Sequence, residues 1–210
     1  MKLLCIIGDV VQSRSVHPRA RLQAQLQKTL TVVNRRRRKQ LISPCTITLG
    51  DEFQAVYRDA SSLFNDFWMV MHDVYPVKVR FSVGIGLLST PINRQQAIGM
   101  DGPAFHAART GLTELKASHY ALRISEPDAT VPPWINLTLD LISHANASWK
   151  QNRLSVFQKL LEGREPKVIA EDIGITTAAV YKNMQSGALG TTKSLLHEIA
   201  DWINSRRDAK

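Results

Sequence analysis

Along residues 2–124 the apolar residues switch repeatedly between strand-like and helical spacing. The order of those switches limits the fold more than any other feature. Lys2 to Ile7 is a short unbroken apolar run, the pattern of a buried strand. Pro18 opens a helical pattern with Leu22, Leu26, Leu30 and Val33 on one side. Cys45–Leu49 and Phe53–Tyr57 read as the two strands of a hairpin turning at Gly50-Asp51-Glu52. Ala60 to Val74 is helical, with Leu63, Phe67, Val70 and Val74 on one face, and Val79 to Leu88 is a strand. Pro103 suits the first turn of a helix whose Ala104, Ala108, Leu112 and Leu115 face the core. Tyr120–Ile124 is a last strand. The order β-α-β-β-α-β-α-β predicts an α+β fold, a mostly antiparallel sheet with helices on one face.

Ser125 to Pro133 has the composition of a linker, so residues 1–125 and 134–210 are expected as two units joined by 126–133. The second unit reads as all-helical. Trp134 to Lys150 carries Trp134, Leu137, Leu141, Ala145 and Trp149 at roughly helical intervals. Leu154–Glu162 follows as a helix, and Thr191–Arg206 closes the chain with Leu195, Ile199 and Trp202 expected inward. Between them, Pro166 begins a short helix with Ile169, Ala170 and Ile173 inward. Gly174 turns the chain, and Thr176 caps a further helix with Val180 and Met184 inward. That is the pattern of a helix-turn-helix.

In 210 residues with 44% hydrophobic content, no apolar run reaches the roughly 20 residues of a membrane span. The apolar N-terminal run is too short for a secretory core and lacks a small-residue cleavage site, so a cytoplasmic protein is expected. Cys5 and Cys45 lie in apolar strand-like segments without metal-ligand spacing and are expected as buried free thiols. The net charge of +9 favours polyanionic partners: nucleotides, DNA or RNA. The run Arg35 to Lys39 is either a solvated helix end or a phosphate contact.

The candidate chemistry sits where strands end. Asp9 follows the first strand, and Asp51 with Glu52 caps the hairpin. If those strands are neighbours, Asp9 and Asp51 meet at one edge, where carboxylates repel unless a cation intervenes. Mg²⁺ accepts a few carboxylate oxygens together with phosphates and water. Gly8 and Gly50 would let a phosphate approach the backbone, and Gln12, Ser13 and Arg14 would bind its oxygens, Arg14 as a bidentate donor. The alternative is that Gly-Asp-Glu only punctuates a turn.

Ile47-Thr48-Leu49-Gly50-Asp51-Glu52-Phe53-Gln54-Ala55-Val56 resembles both the Gly-Gly-Asp-Glu-Phe hairpin of diguanylate cyclases and the hairpin of class III nucleotide cyclases. Gly8-Asp9-Val10-Val11 resembles the first metal-binding strand of the latter. Val79 to Gly86 resembles their central strand, and Gly102 to Arg109 their late helix. The whole chain is similar to the SatD family of small bacterial proteins. The resemblance implies a ferredoxin-like palm with Asp9, Asp51 and the Val10 carbonyl as ligands of Mg²⁺ or Mn²⁺. Glu52 would be a further ligand or an acid-base group, and Arg109 would face phosphates. It also implies a nucleotide partner and a homodimer. Leu49 departs from the diguanylate pattern, and Phe105 stands where cyclases carry Asn.

The segment Ile169-Ala170-Glu171-Asp172-Ile173-Gly174-Ile175-Thr176-Thr177 resembles bacterial helix-turn-helix regulators. Its second helix would enter the DNA major groove, leaving Thr177, Ala178, Tyr181, Lys182 and Gln185 outward. Lys182 would contact phosphate or base, Thr177 and Gln185 would read bases, and Tyr181 would pack on the DNA backbone. Three readings follow: a metal-dependent nucleotide cyclase or nucleotidyltransferase, a regulator whose palm senses a nucleotide, and a palm kept for dimerisation.

Overall fold

The computed structural model describes residues 2–12, 18–48, 50–127 and 130–208. Ser13 and Arg14 lie outside the described residues. The elements run β1 (Leu3–Val10), α1 (Arg19–Arg36), β2 (Leu41–Ile47), β3 (Glu52–Tyr57), α2 (Leu63–Asp73), β4 (Val79–Gly86), α3 (Pro103–Lys116) and β5 (Leu122–Ser125). Then come α4 (Pro133–Asn146), α5 (Gln151–Leu161), α6 (Pro166–Ile173), α7 (Thr177–Ser186) and α8 (Leu189–Asp208). The order expected from apolar spacing is therefore borne out.

The strands form one mixed sheet in the order β2-β3-β1-β4-β5. β1 pairs antiparallel with β3 and β4, β2 pairs antiparallel with β3, and β5 runs parallel to β4. β2 begins at Leu41, ahead of the expected Cys45, and includes Pro44. An edge strand tolerates proline because one side of its backbone needs no ladder partner, and β2 has irregular register at that point.

One expectation is corrected here: helices cover both faces of the sheet. Leu4 and Ile6 of β1, with Tyr57, Phe81 and Val83, pack against α1 and α2 in the main core. Leu3, Cys5 and Ile7 point the other way, onto Ala104, Phe105, Ala108 and Leu112 of α3. Every residue of β1 is buried, as a strand covered on both sides must be. Cys5 and Cys45 are buried free thiols. Burial pushes both thiols up, Cys45 to about 12, so neither is a nucleophile at neutral pH.

α2 is apolar nearly all round, with Leu63, Phe64, Phe67, Trp68, Met69 and Val70 all buried. Such a helix needs partners on opposite sides. Phe67 stacks on Phe81 of the sheet at 4.2 Å, and Trp68 meets Phe157 of α5 edge-on at 5.2 Å. The main core thus runs from the sheet through α2 into α5 and α8 without a break. Polar ties cross the same boundary. His72 Nε2 meets Ser155 Oγ at 2.9 Å, and the Ala60 N–H donates to Asn204 Oδ1 at 2.8 Å. Buried Glu126 accepts from Lys2 and from Arg206.

The basic run at the end of α1 is partly structural. Arg37 donates to buried Asp66 at 2.8 Å, and the Tyr57 hydroxyl donates to the same carboxyl. Arg36 pairs with Glu162 at 3.1 Å. Among the described residues, no helix is long and apolar enough to cross a membrane.

Candidate functional site

The register of β1 on its neighbours decides which charges meet. Asp9 lies directly opposite Glu52 on β3 and opposite Arg80 on β4. Because side chains alternate along a strand, all three project from the face that α3 covers. α3 brings Arg109 and Lys116 to the same place, seven residues apart and so on one side of the helix. Its seat is close: Gly84 and Gly86 of β4 leave room for the backbone of Ala104.

The result is a cluster of two buried carboxylates and three cations. Asp9 Oδ2 accepts from Arg80 at 3.2 Å, and Asp9 Oδ1 lies 3.1 Å from Lys116 Nζ. Glu52 and Arg109 form a two-pronged pair at 2.6 and 2.7 Å. The Glu52 hydrogen bonds, with the charges of Glu52 and Asp9, hold the Arg109 guanidinium above its ordinary pKa. Asp9 and Glu52 are buried, while the Arg109 and Lys116 side chains remain 49% and 47% exposed. The acids act as anchors beneath cations that still face solvent. Sequence reading named Asp9, Glu52 and Arg109 but missed Arg80 and Lys116. The seven-residue spacing of Arg109 and Lys116 was the available signal.

Asp51 enters differently from the expectation. It sits in the turn before β3, and its carbonyl accepts the Val10 N–H at 3.2 Å. The hairpin tip and the end of β1 are therefore joined through the backbone, while the side chain facing Asp9 across the ladder belongs to Glu52. Gly50 adopts φ +66°, which glycine accepts without steric cost. Its carbonyl accepts from Gln23 Nε2 at 3.2 Å, so the N-terminal turns of α1 lie against the hairpin. The room beside Gly8 is filled from the core side, because a Cβ there would lie 2.1 Å from the Phe53 ring. Gln12 holds φ at 53°, in a region few non-glycine residues adopt. His106 is exposed and pairs with Asp101 at 2.8 Å.

The resemblance implies divalent metal here, and the residues as arranged do not fit a two-ion clamp. Both Asp9 oxygens face cations, and both Glu52 oxygens are taken by Arg109. Among the described residues, no group of three or more His, Cys, Asp or Glu is placed to hold a metal ion.

The second candidate surface is α6–α7. Gly174 takes the left-handed conformation after α6, and the Ile175 N–H reaches back to the Ala170 carbonyl at 3.0 Å. Thr176 Oγ1 accepts the Ala179 N–H at 3.1 Å and caps α7. Ile169, Ala170 and Val180 are buried between the helices. Ala178, Tyr181, Lys182 and Gln185 lie exposed on the outer side of α7, with Thr177 half-buried at its start.

Several solved structures are similar to this chain, among them three of nucleotide cyclases. One is a bacterial light-regulated adenylyl cyclase with 12% identity and TM-score 0.44, covering 58% of this chain and 73% of that one. A second structure of a bacterial light-regulated adenylyl cyclase has 12% identity and TM-score 0.41, covering 58% of this chain and 42% of that one. The third is the catalytic core of a rhodopsin-guanylyl cyclase with converted specificity, in complex with ATPαS. It has 12% identity and TM-score 0.37, covering 53% of this chain and 71% of that one. At this identity no activity passes from those enzymes to this chain. No curated protein matches it significantly. The model of the SatD family matches residues 3–193, a span that takes in the sheet, the charged cluster and α6–α7 alike. On that match the chain belongs to the SatD family.

Proposed function

We propose that this SatD-family chain is a nucleotide-responsive DNA-binding regulator. The end of the sheet at Asp9 and Glu52 takes nucleotide phosphate, and α7 reads DNA. One observation carries the first half: two buried carboxylates fix Arg80, Arg109 and Lys116 around one spot while the heads of Arg109 and Lys116 stay open. A guanidinium and an ammonium held in place lose little side-chain freedom on meeting a phosphate, and Arg109 can offer two parallel donors. Gln12 follows the end of β1 and Gly50 lies in the turn before β3, with Ser13 and Arg14 next in sequence after Gln12.

The test is to titrate purified protein with each nucleoside triphosphate while following thermal unfolding. A triphosphate at about 100 times its dissociation constant adds roughly 2.7 kcal/mol of stability. That amounts to a rise of roughly 5–10 °C for a chain of this size. Arg109→Ala should abolish the rise. If no triphosphate shifts the transition, with or without Mg²⁺ or Mn²⁺, the phosphate site is ruled out.

Metal-dependent turnover, as a cyclase or nucleotidyltransferase, is the second reading. It is favoured by the Val10–Asp51 backbone bond, which brings Asp9, Val10 and Asp51 to one end of the hairpin. It would require Asp9 to leave Arg80 and Lys116 and to hold Mg²⁺ or Mn²⁺ together with Val10 and Asp51, and Glu52 and Arg109 to part and face the substrate. Incubation with each triphosphate and either metal, with products resolved chromatographically, separates the two readings. Product that forms with wild type and disappears in both Asp9→Ala and Asp51→Ala would replace the sensor with an enzyme.

The DNA half rests on the exposed face of α7 and its Schellman-capped turn. Lys182→Ala is expected to weaken binding to genomic fragments several-fold and to lower the salt slope by about one. If no fragment is retarded at low salt, this half of the reading fails.

A further inference from the structure

α4 lies along the outer edge of β5, and two side chains fix its rotation there. Asn136 Oδ1 accepts the Ile124 N–H at 3.0 Å, and its Nδ2 donates to the Ile124 carbonyl at 2.9 Å. The amide thereby satisfies an edge residue as a neighbouring strand would. Ser143 Oγ accepts the Ala121 N–H at 3.1 Å and donates to the Leu139 carbonyl at 2.7 Å. With the helix so held, Ile135, Leu139 and Ile142 go into the core. Trp134, Leu137 and Leu141, which stand at roughly helical intervals in the sequence, are turned outward, 47%, 60% and 72% exposed.

These three make one stripe down the helix. Pro133, His144 and Ala145 complete the exposed side, whose fully exposed residues include no Lys, Arg, Asp or Glu; half-buried Asp140 borders it. A stripe whose centre is apolar and uncharged offers nothing for an acidic or a basic partner to pair with, and a second copy presents a matching apolar centre. The chain carries a net +9, so two copies repel wherever basic surfaces meet. They approach at least electrostatic cost where neither presents charge. Three large side chains about half open expose on the order of 400 Å² per copy. A pair would then bury about 800 Å² from them alone, and the flanking residues carry that toward the roughly 1,200 Å² at which stable interfaces begin.

We propose that the Trp134–Leu137–Leu141 stripe is the surface through which two copies of this chain pair, α4 against α4 about a two-fold axis. The antiparallel arrangement sets Trp134 beside Leu141 of the partner subunit, so the same patch serves both sides. This pairing is independent of the nucleotide and DNA readings.

Sedimentation equilibrium on the full chain tests it. Wild type is expected at twice the 23.5 kDa chain mass through the micromolar range. Leu137→Asp and Leu141→Glu should each raise the dimer dissociation constant roughly 100-fold. Both positions are exposed, so each variant should unfold at the wild-type temperature when compared under dilute, monomeric conditions. Leu141→Met should keep the dimer. A wild type that stays monomeric overturns the proposal. So does a dimer that survives both charged variants. Association of monomers with phosphatidylcholine vesicles, without self-association, would overturn it by giving the stripe to lipid.

Discussion

Replacing Gly84 with alanine is expected to unseat α3 and to dismantle the charged cluster with it. A Cβ at Gly84 would lie 1.9 Å from the Ala104 carbonyl oxygen and 2.6 Å from the Ala108 nitrogen. Both are backbone atoms, so no rotamer change relieves the clash, and the helix must move. Forcing one extra carbon into a packed site costs typically 1–3 kcal/mol, and this contact belongs at or above about 3. For a chain of this length that lowers the unfolding midpoint by roughly 6–12 °C. Arg109 and Lys116 ride on α3, so its displacement also separates them from Glu52 and Asp9. The stabilisation by triphosphate should vanish in whatever Gly84→Ala protein still folds. Gly86→Ala is the comparison: its nearest contact is 3.0 Å, and the effect should be smaller. Circular dichroism melts decide the point. Equal midpoints for wild type and Gly84→Ala would refute the close helix–strand seat.

Trp68→Ala is expected to cost about 3–5 kcal/mol, the range for emptying the space of a large buried aromatic. Trp68 is fully buried and touches Phe157 edge-on, so the cavity opens where α2 meets the C-terminal helices. The midpoint should fall by roughly 6–20 °C. The same melt shows how the chain is organised. A continuous core from the sheet to α5 and α8 predicts one transition, with far-ultraviolet dichroism and the fluorescence of the remaining tryptophans changing together. Two separated transitions, only one of them moved by the substitution, would show instead that the sheet and the C-terminal helices unfold apart.

Much of the architecture was legible because strand and helix periods are local properties. The element order, the hairpin at Gly50-Asp51-Glu52 and the capped turn of α6–α7 each depend on residues within a few positions of one another. α2 shows where such reading stops short. Its apolar residues were counted on one face, at Leu63, Phe67 and Val70, although Phe64, Trp68 and Met71 supply a second. A helix apolar all round announces partners on two sides, and the second partner here is α5. α4 shows the opposite limit. Trp134, Leu137 and Leu141 have core-like spacing, but Asn136 and Ser143 bind the edge of β5 and rotate them into solvent. Apolar spacing marks a stripe; it does not say what the stripe faces.

The charged site divides along the same line. Composition and local pattern alone made Asp9, Asp51 and Glu52 candidates, because acids at strand ends and in tight turns stand out within a short window of chain. Which cation each acid holds was settled only in three dimensions. Glu52 meets Arg109 across 57 residues, and Asp9 meets Arg80 across 71. Those meetings depend on antiparallel register and on how closely α3 sits over Gly84. A shift of one residue in register would turn Asp9 to the opposite face of the sheet. Ion pairs act over a few ångströms, so they follow the packing of the backbone and not the distance along it.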